Sequence, residues 1–146
     1  MASTELVAEI SAFMDTYSSA FLRFDQDAIA DHYVLPVHFV SDAAEVALRT
    51  VTTEEACRAA VEPVLNWHRK LGVVASRRLR FDVVELSPRM VCLDLAAEFQ
   101  DSSGAPLYDY RGLYTLVRKD GGWRVAAISH NQIPRLLDCL ARRRTA

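Results

Sequence analysis

Apolar side chains at Leu6, Val7, Ile10, Phe13, Met14, Tyr17, Phe21 and Phe24 recur at spacings of three and four, which predicts a helix over 5–24 with one continuously apolar face. Ser3 or Thr4 can cap its first amides, and Glu5 suits the positive end of its dipole. Asp25 restarts the chain as an N-cap, with Ala28, Ile29 and Tyr33 on one side of a second helix that Pro36 stops near Val34. Two short β-type runs, 37–40 and 45–51, predict a small hairpin. Thr52 and Glu55 have capping-box spacing ahead of an apolar stripe from Ala56 to Leu71, which Gly72 is placed to end. Pro63 inside that stripe predicts a kink over 59–63.

From Val73 the period falls to two. ASRRLRFDVVEL, RMVCLDLAAEFQ, LYDYRGLYTLV and WRVAAISHN read as four long strands joined at SP, DSSGAP and KDGG. Strands of this length require a twisted, bulged sheet, and Gly112 is a candidate bulge. In RMVCLDLAAEFQ one face carries Val91, Leu93, Leu95, Ala97 and Phe99, while the mixed face carries Asp94 and Glu98. Pro134 starts a short last helix through Leu140. The order of elements gives an α+β domain, with a strongly curved antiparallel or mixed sheet and the three helices of the N-terminal half packed on its concave face.

Length bounds this to one domain over 1–146. A net charge of −2 excludes a global basic field of the kind that draws nucleic acid. The one basic cluster, Arg142–Arg144, reads as part of a solvated, mobile tail over 142–146. No signal-peptide pattern or membrane-length apolar run occurs, so the expected location is the cytoplasm, with no membrane partner. Cys57, Cys92 and Cys139 lack C-x-x-C spacing, and His32, His38, His68 and His130 lack ligand spacing, so neither a disulfide framework nor a metal is expected. Without a glycine-rich phosphate loop, no nucleotide cofactor is expected either.

FDQDAIADHY running into LPVHFV, the TTEEACRAAVEPVL helix after the hairpin, and the closing YTLVRKDGGWRVAAIS together resemble the NTF2-like, or SnoaL-like, cone fold over nearly the whole chain. That family includes ketosteroid isomerases, scytalone dehydratase, epoxide hydrolases and polyketide cyclases, beside transport and assembly domains without catalysis. The resemblance implies an apolar cone closed by helices, with a few polar groups projecting inward.

Tyr17 falls where the isomerases carry an oxyanion-stabilising tyrosine, although a core phenol with an incidental hydrogen bond is the competing reading. The isomerase base aligns nearest Ser41, with Asp42 one position away, and a one-residue shift reverses the face. The isomerases' protonated acid aligns with Thr115, which argues against true ketosteroid isomerisation. The same alignment places Asp109, Arg111, Leu113, Thr115 and Val117 inside, opposite Ala126, Ile128 and His130. Phe13, Phe21, Tyr33, Phe39 and Trp67 complete the expected cavity lining. His130 is then either an acid or base, or a structural imidazole. Asp109 and Arg111 pair with each other, or join Asp94 in a set like that of the epoxide hydrolases if Asp94 faces inward.

Three functions follow. The first is a cofactor-free isomerase, dehydratase, cyclase or hydrolase of an apolar substrate, with Tyr17 and His130 as its polar pair and Asp42 as base. The second is a non-catalytic binder of a small apolar molecule. The third is a homodimerisation domain that pairs through the outer sheet face, where Cys92, Ala96, Tyr108, Tyr110 and Tyr114 supply contact area.

Overall fold

The first helix, α1 (Thr4–Leu22), begins where Ser3 accepts a hydrogen bond from the Leu6 amide, and it buries Ile10, Met14, Tyr17 and Ala20. In this computed structural model, which describes residues 2–145, a short α2 (Gln26–Asp31) follows, capped by Asp25. β1 (Tyr33–Asp42) begins earlier than expected and carries Pro36 within it. Its pairing with β6 is broken between Tyr33 and His38, so the missing proline amide falls where the ladder is irregular.

β2 (Val46–Val51) returns antiparallel to β1 and leads into α3 (Glu54–Leu71). The cap of α3 is Thr53, one residue later than the capping-box spacing suggested, and the helix runs unbroken through the exposed Pro63. Gly72 ends it at φ 75°, a left-handed conformation that glycine adopts without steric cost.

The four long strands are β3 (Ala75–Ser87), β4 (Met90–Gln100), β5 (Pro106–Lys119) and β6 (Gly122–His130). The sheet order is β2-β1-β6-β5-β4-β3, antiparallel throughout except for the parallel β1–β6 pair. This mixed sheet with four helices is the expected α+β architecture. The last helix, α4 (Gln132–Thr145), is longer than predicted. Arg142 and Arg143 therefore stand on helical turns, and the side chains of 144 and 145 and residue 146 of the expected tail lie outside the described residues. No helix among the described residues is long and apolar enough to cross a membrane.

β5 corrects the expected facing. Tyr108, Tyr110, Gly112, Tyr114 and Leu116 are buried, whereas Arg111 and Leu113 are exposed. Arg111, Leu113, Thr115 and Val117 thus belong to the outer face, because side chains alternate along a strand and the tyrosines took the inner one. Gly112 is no bulge: it pairs in register with Leu95 and His130, and the irregularities lie at Phe99/Gln100 and Thr115/Leu116. A Cβ at Gly112 would stand 3.0 Å from Cε1 of Tyr114, so the glycine makes room for that ring.

Two buried clusters fill the inner side. One joins α1 and α2 to β1, β4 and β6 around Ile10, Ile29, Leu93 and Val125. The other lies beneath α3 and α4, around Leu71, Phe99, Tyr108 and Leu136. Fully burying residues such as Ile29 and Leu136 stabilises the fold by about 1.5–3 kcal/mol each.

Candidate ligand-binding site

Between α1, α3, α4 and strands β1, β2 and β6 lies a cavity of about 290 Å³. Its wall includes Tyr17, Phe21, Tyr33, Phe39, Trp67, Ile128 and His130, seven of the residues that the cone resemblance implied. Ser41 is also in the lining while Asp42 is exposed at the end of β1, so the position expected to hold a base presents a hydroxyl. The strand alternates, and Asp42 is on its other side. Phe13 packs against the core with its ring 5.2 Å from His32, away from the cavity wall.

The polar groups of the site are phenols, an imidazole, an amide, the Ser41 hydroxyl and the Arg49 guanidinium. Tyr17 from α1 and Tyr33 from β1 join hydroxyls at 2.5 Å, and Tyr110 and Tyr114 on β5 do so at 2.8 Å. Each pair owns two O–H protons and consumes one internally, which leaves one donor per pair for something else. Burial raises the pKa of Tyr17 and Tyr33 well above the ordinary phenol value, so both remain protonated donors.

His130 is oriented by its own chain. The backbone N–H of Gln132 donates to its Nδ1 at 3.1 Å. A backbone amide can only donate, so Nδ1 holds the lone pair and the neutral ring carries its proton on Nε2. Burial lowers the His130 pKa, which keeps the ring neutral near pH 7. The residue is therefore arranged as a hydrogen-bond donor.

Sequence reasoning missed the layer behind these groups. Gln132 Nε2 donates to the Tyr108 hydroxyl at 3.0 Å, and that hydroxyl shares a hydrogen bond of 2.6 Å with Nε2 of His68. His68 is fully buried against Phe99, its Nδ1 has no hydrogen-bond partner, and burial lowers its pKa to about 4. The signal available was one histidine in the apolar stripe of α3, with nothing local to show what it faced.

The set likened to the epoxide hydrolases is outside. Asp94 is gripped by Arg111 at 2.7 and 2.9 Å and by Arg80 at 3.1 Å, and these hydrogen bonds, that from Arg111 first, hold its carboxyl well below the usual range. Asp109 pairs with Arg135 at 2.6 Å and not with Arg111. No carboxylate lines the 290 Å³ cavity among the described residues. The chemistry left to the site is hydrogen-bond donation toward an acceptor in apolar surroundings, where such bonds are strengthened by the low dielectric.

Solved structures share this fold at low identity. Aln2 from a Streptomyces species is 23% identical with a TM-score of 0.69, over 97% of this chain and 98% of that one. A ketosteroid isomerase-like protein from Erwinia carotovora atroseptica is 20% identical with a TM-score of 0.63, over 90% and 98%. An NTF-2 like protein of unknown function from Shewanella oneidensis is 13% identical with a TM-score of 0.65, over 86% and 98%. No curated protein matches the sequence. A family model described as NTF2-like protein (DUF6841) matches residues 8–132, and the chain belongs to that NTF2-like family.

Proposed function

We propose that this protein binds a small apolar molecule bearing a hydrogen-bond acceptor, such as a ketone, in the 290 Å³ cavity. One observation carries the reading: a largely apolar wall, with Arg49 at one side, presents the spare O–H of the Tyr17–Tyr33 pair and the Nε2–H of His130, with no carboxylate to take a proton. Such a site orients and polarises a carbonyl. Catalysis by proton abstraction would need a base that Asp42, on the outside, does not supply. A naphthyl ketone dye whose emission responds to hydrogen bonding at its carbonyl tests this. The wild type should bind it with a red-shifted emission, and Tyr17→Phe combined with His130→Leu should weaken binding about tenfold and remove the shift. A wild type that leaves the dye in water defeats the proposal.

We also propose that two copies pair through the outer sheet face. Leu48 (77% exposed), Leu113 (52%) and Val84 (53%) lie there beside Cys92 and Thr115, and the strand pairings put them on one side. The tyrosines expected on this face are inside, so the contact area combines these aliphatic side chains with the Asp94–Arg111–Arg80 cluster. Leu113→Arg should convert a dimer to a monomer in sedimentation velocity while leaving dye binding intact. A wild type that sediments as a monomer at micromolar concentration removes the proposal.

A further inference from the structure

Arg49 is the one permanent charge in the wall of the 290 Å³ cavity among the described residues. It lies on β2, the edge of the sheet, and the register sets its face. Val51 pairs with Val37 and both are buried, so Arg49 and Ala47 share that inner face and pair with Phe39 and Ser41 of the cavity wall. The guanidinium makes no hydrogen bond and no ion pair among the described residues. Asp42 and Glu45, the acids of the same hairpin, stand exposed at its turn and do not pair with it.

A charge on an edge strand also deters pairing with another chain, a role that needs no ligand. The company Arg49 keeps assigns it more. No carboxylate lines the cavity among the described residues, while the Tyr17–Tyr33 pair and His130 Nε2 offer protons into it, so the wall favours negative charge. Across β6, β1 and β2 the inner face runs in two rows, His130–Ser41–Ala47 and Ile128–Phe39–Arg49. Two strand spacings across and two residues along put Arg49 about 12 Å from His130 at Cα. Both side chains line the same space, so a ligand with a few carbons between carbonyl and carboxylate meets both.

Resting on the binding function proposed above, we infer that Arg49 receives an anionic group of the same ligand. The ligand class is then a small keto acid. Its carbonyl accepts from the Tyr17–Tyr33 pair and His130, its apolar body lies against Phe39 and Trp67, and its carboxylate takes the forked N–H donors of Arg49.

Naphthoylpropionate and its uncharged primary amide share one skeleton and test this by calorimetric titration of wild type and Arg49→Gln. Arg49 is exposed, so the variant should keep the wild-type unfolding temperature. The wild type should favour the acid about tenfold, and Arg49→Gln should erase that preference by weakening the acid while changing the amide less than about twofold. Equal affinities in the wild type would leave Arg49 as an edge-strand charge only. A variant that keeps the preference, or weakens acid and amide alike, also overturns the inference and leaves the binding cavity standing. The same holds if neither compound binds a wild type that binds the naphthyl ketone dye, whereas failure of all three overturns the cavity reading and the anion site with it.

Discussion

Between pH 7 and pH 4 the folded state should lose about 3 kcal/mol of stability, and a His68→Leu variant should lose far less. The buried His68 ring has its pKa lowered from 6.5 to about 4. In the unfolded chain the ring takes up a proton as the pH falls through 6.5, whereas the folded protein must stay neutral down to about 4. The unfolded state therefore binds more protons across that window, and each pH unit removes about 1.4 kcal/mol. Stability is fully present above the unfolded value and is lost as the pH falls toward the folded one. The lowered pKa of His130 acts in the same direction. Asp94, whose pKa is also lowered, acts mainly below the ordinary carboxylate value of 3.8 and so adds little above pH 4.

Leucine at position 68 removes the unpartnered Nδ1 together with the titration, while Tyr108 keeps its bond from Gln132. At pH 7 the variant should lie about 1 kcal/mol below wild type, since the orphaned Nδ1 is removed but the Tyr108 hydroxyl loses its bond to His68. At pH 4.5 it should be the more stable of the two. Urea midpoints at the two pH values measure the difference, and parallel pH profiles for wild type and variant would sink the assignment.

Periodicity carried the fold a long way. The stripe Ile10, Met14, Tyr17 on α1, the glycine stop of α3 and the four strands after Val73 were all readable, because each depends on local spacing. Pro36 misled at the α2–β1 junction: it forbids helix at Leu35, but an irregular ladder lets it sit in a strand. The inside of the site was harder to read. On β5 the charged Asp109 and Arg111 alternate with Tyr108 and Tyr110, so the local pattern favours buried tyrosines, yet the isomerase alignment put the opposite set inside.

Tyrosine is ambiguous by itself, since its body suits a core and its hydroxyl needs a partner. Those partners are four and sixteen residues apart in the pairs Tyr110–Tyr114 and Tyr17–Tyr33, and forty apart in Tyr108–His68. Only the packing of helices on the sheet brings the last two together. The same holds for Ser41 and Asp42, where one position decides between cavity and solvent and no local signal sets the register.

Filling the inner cavity should abolish ligand binding without harming the fold. Ala60 on α3 is half-buried and lines the 290 Å³ space, and tryptophan there would take up a large share of it. The affinity of Ala60→Trp for the naphthyl ketone dye should fall about a hundredfold. Its stability should stay level or rise: the ring gains apolar burial, against a helix-propensity cost of about 0.5 kcal/mol. A solidly packed interior would behave in the opposite way, because forcing a large ring into it costs about 1–3 kcal/mol and distorts its neighbours. Thermal unfolding and dye titration on one variant therefore separate a hollow cone from a filled one. Unaltered affinity in a stable variant would place the dye elsewhere and remove the Tyr17–His130 site as its receptor.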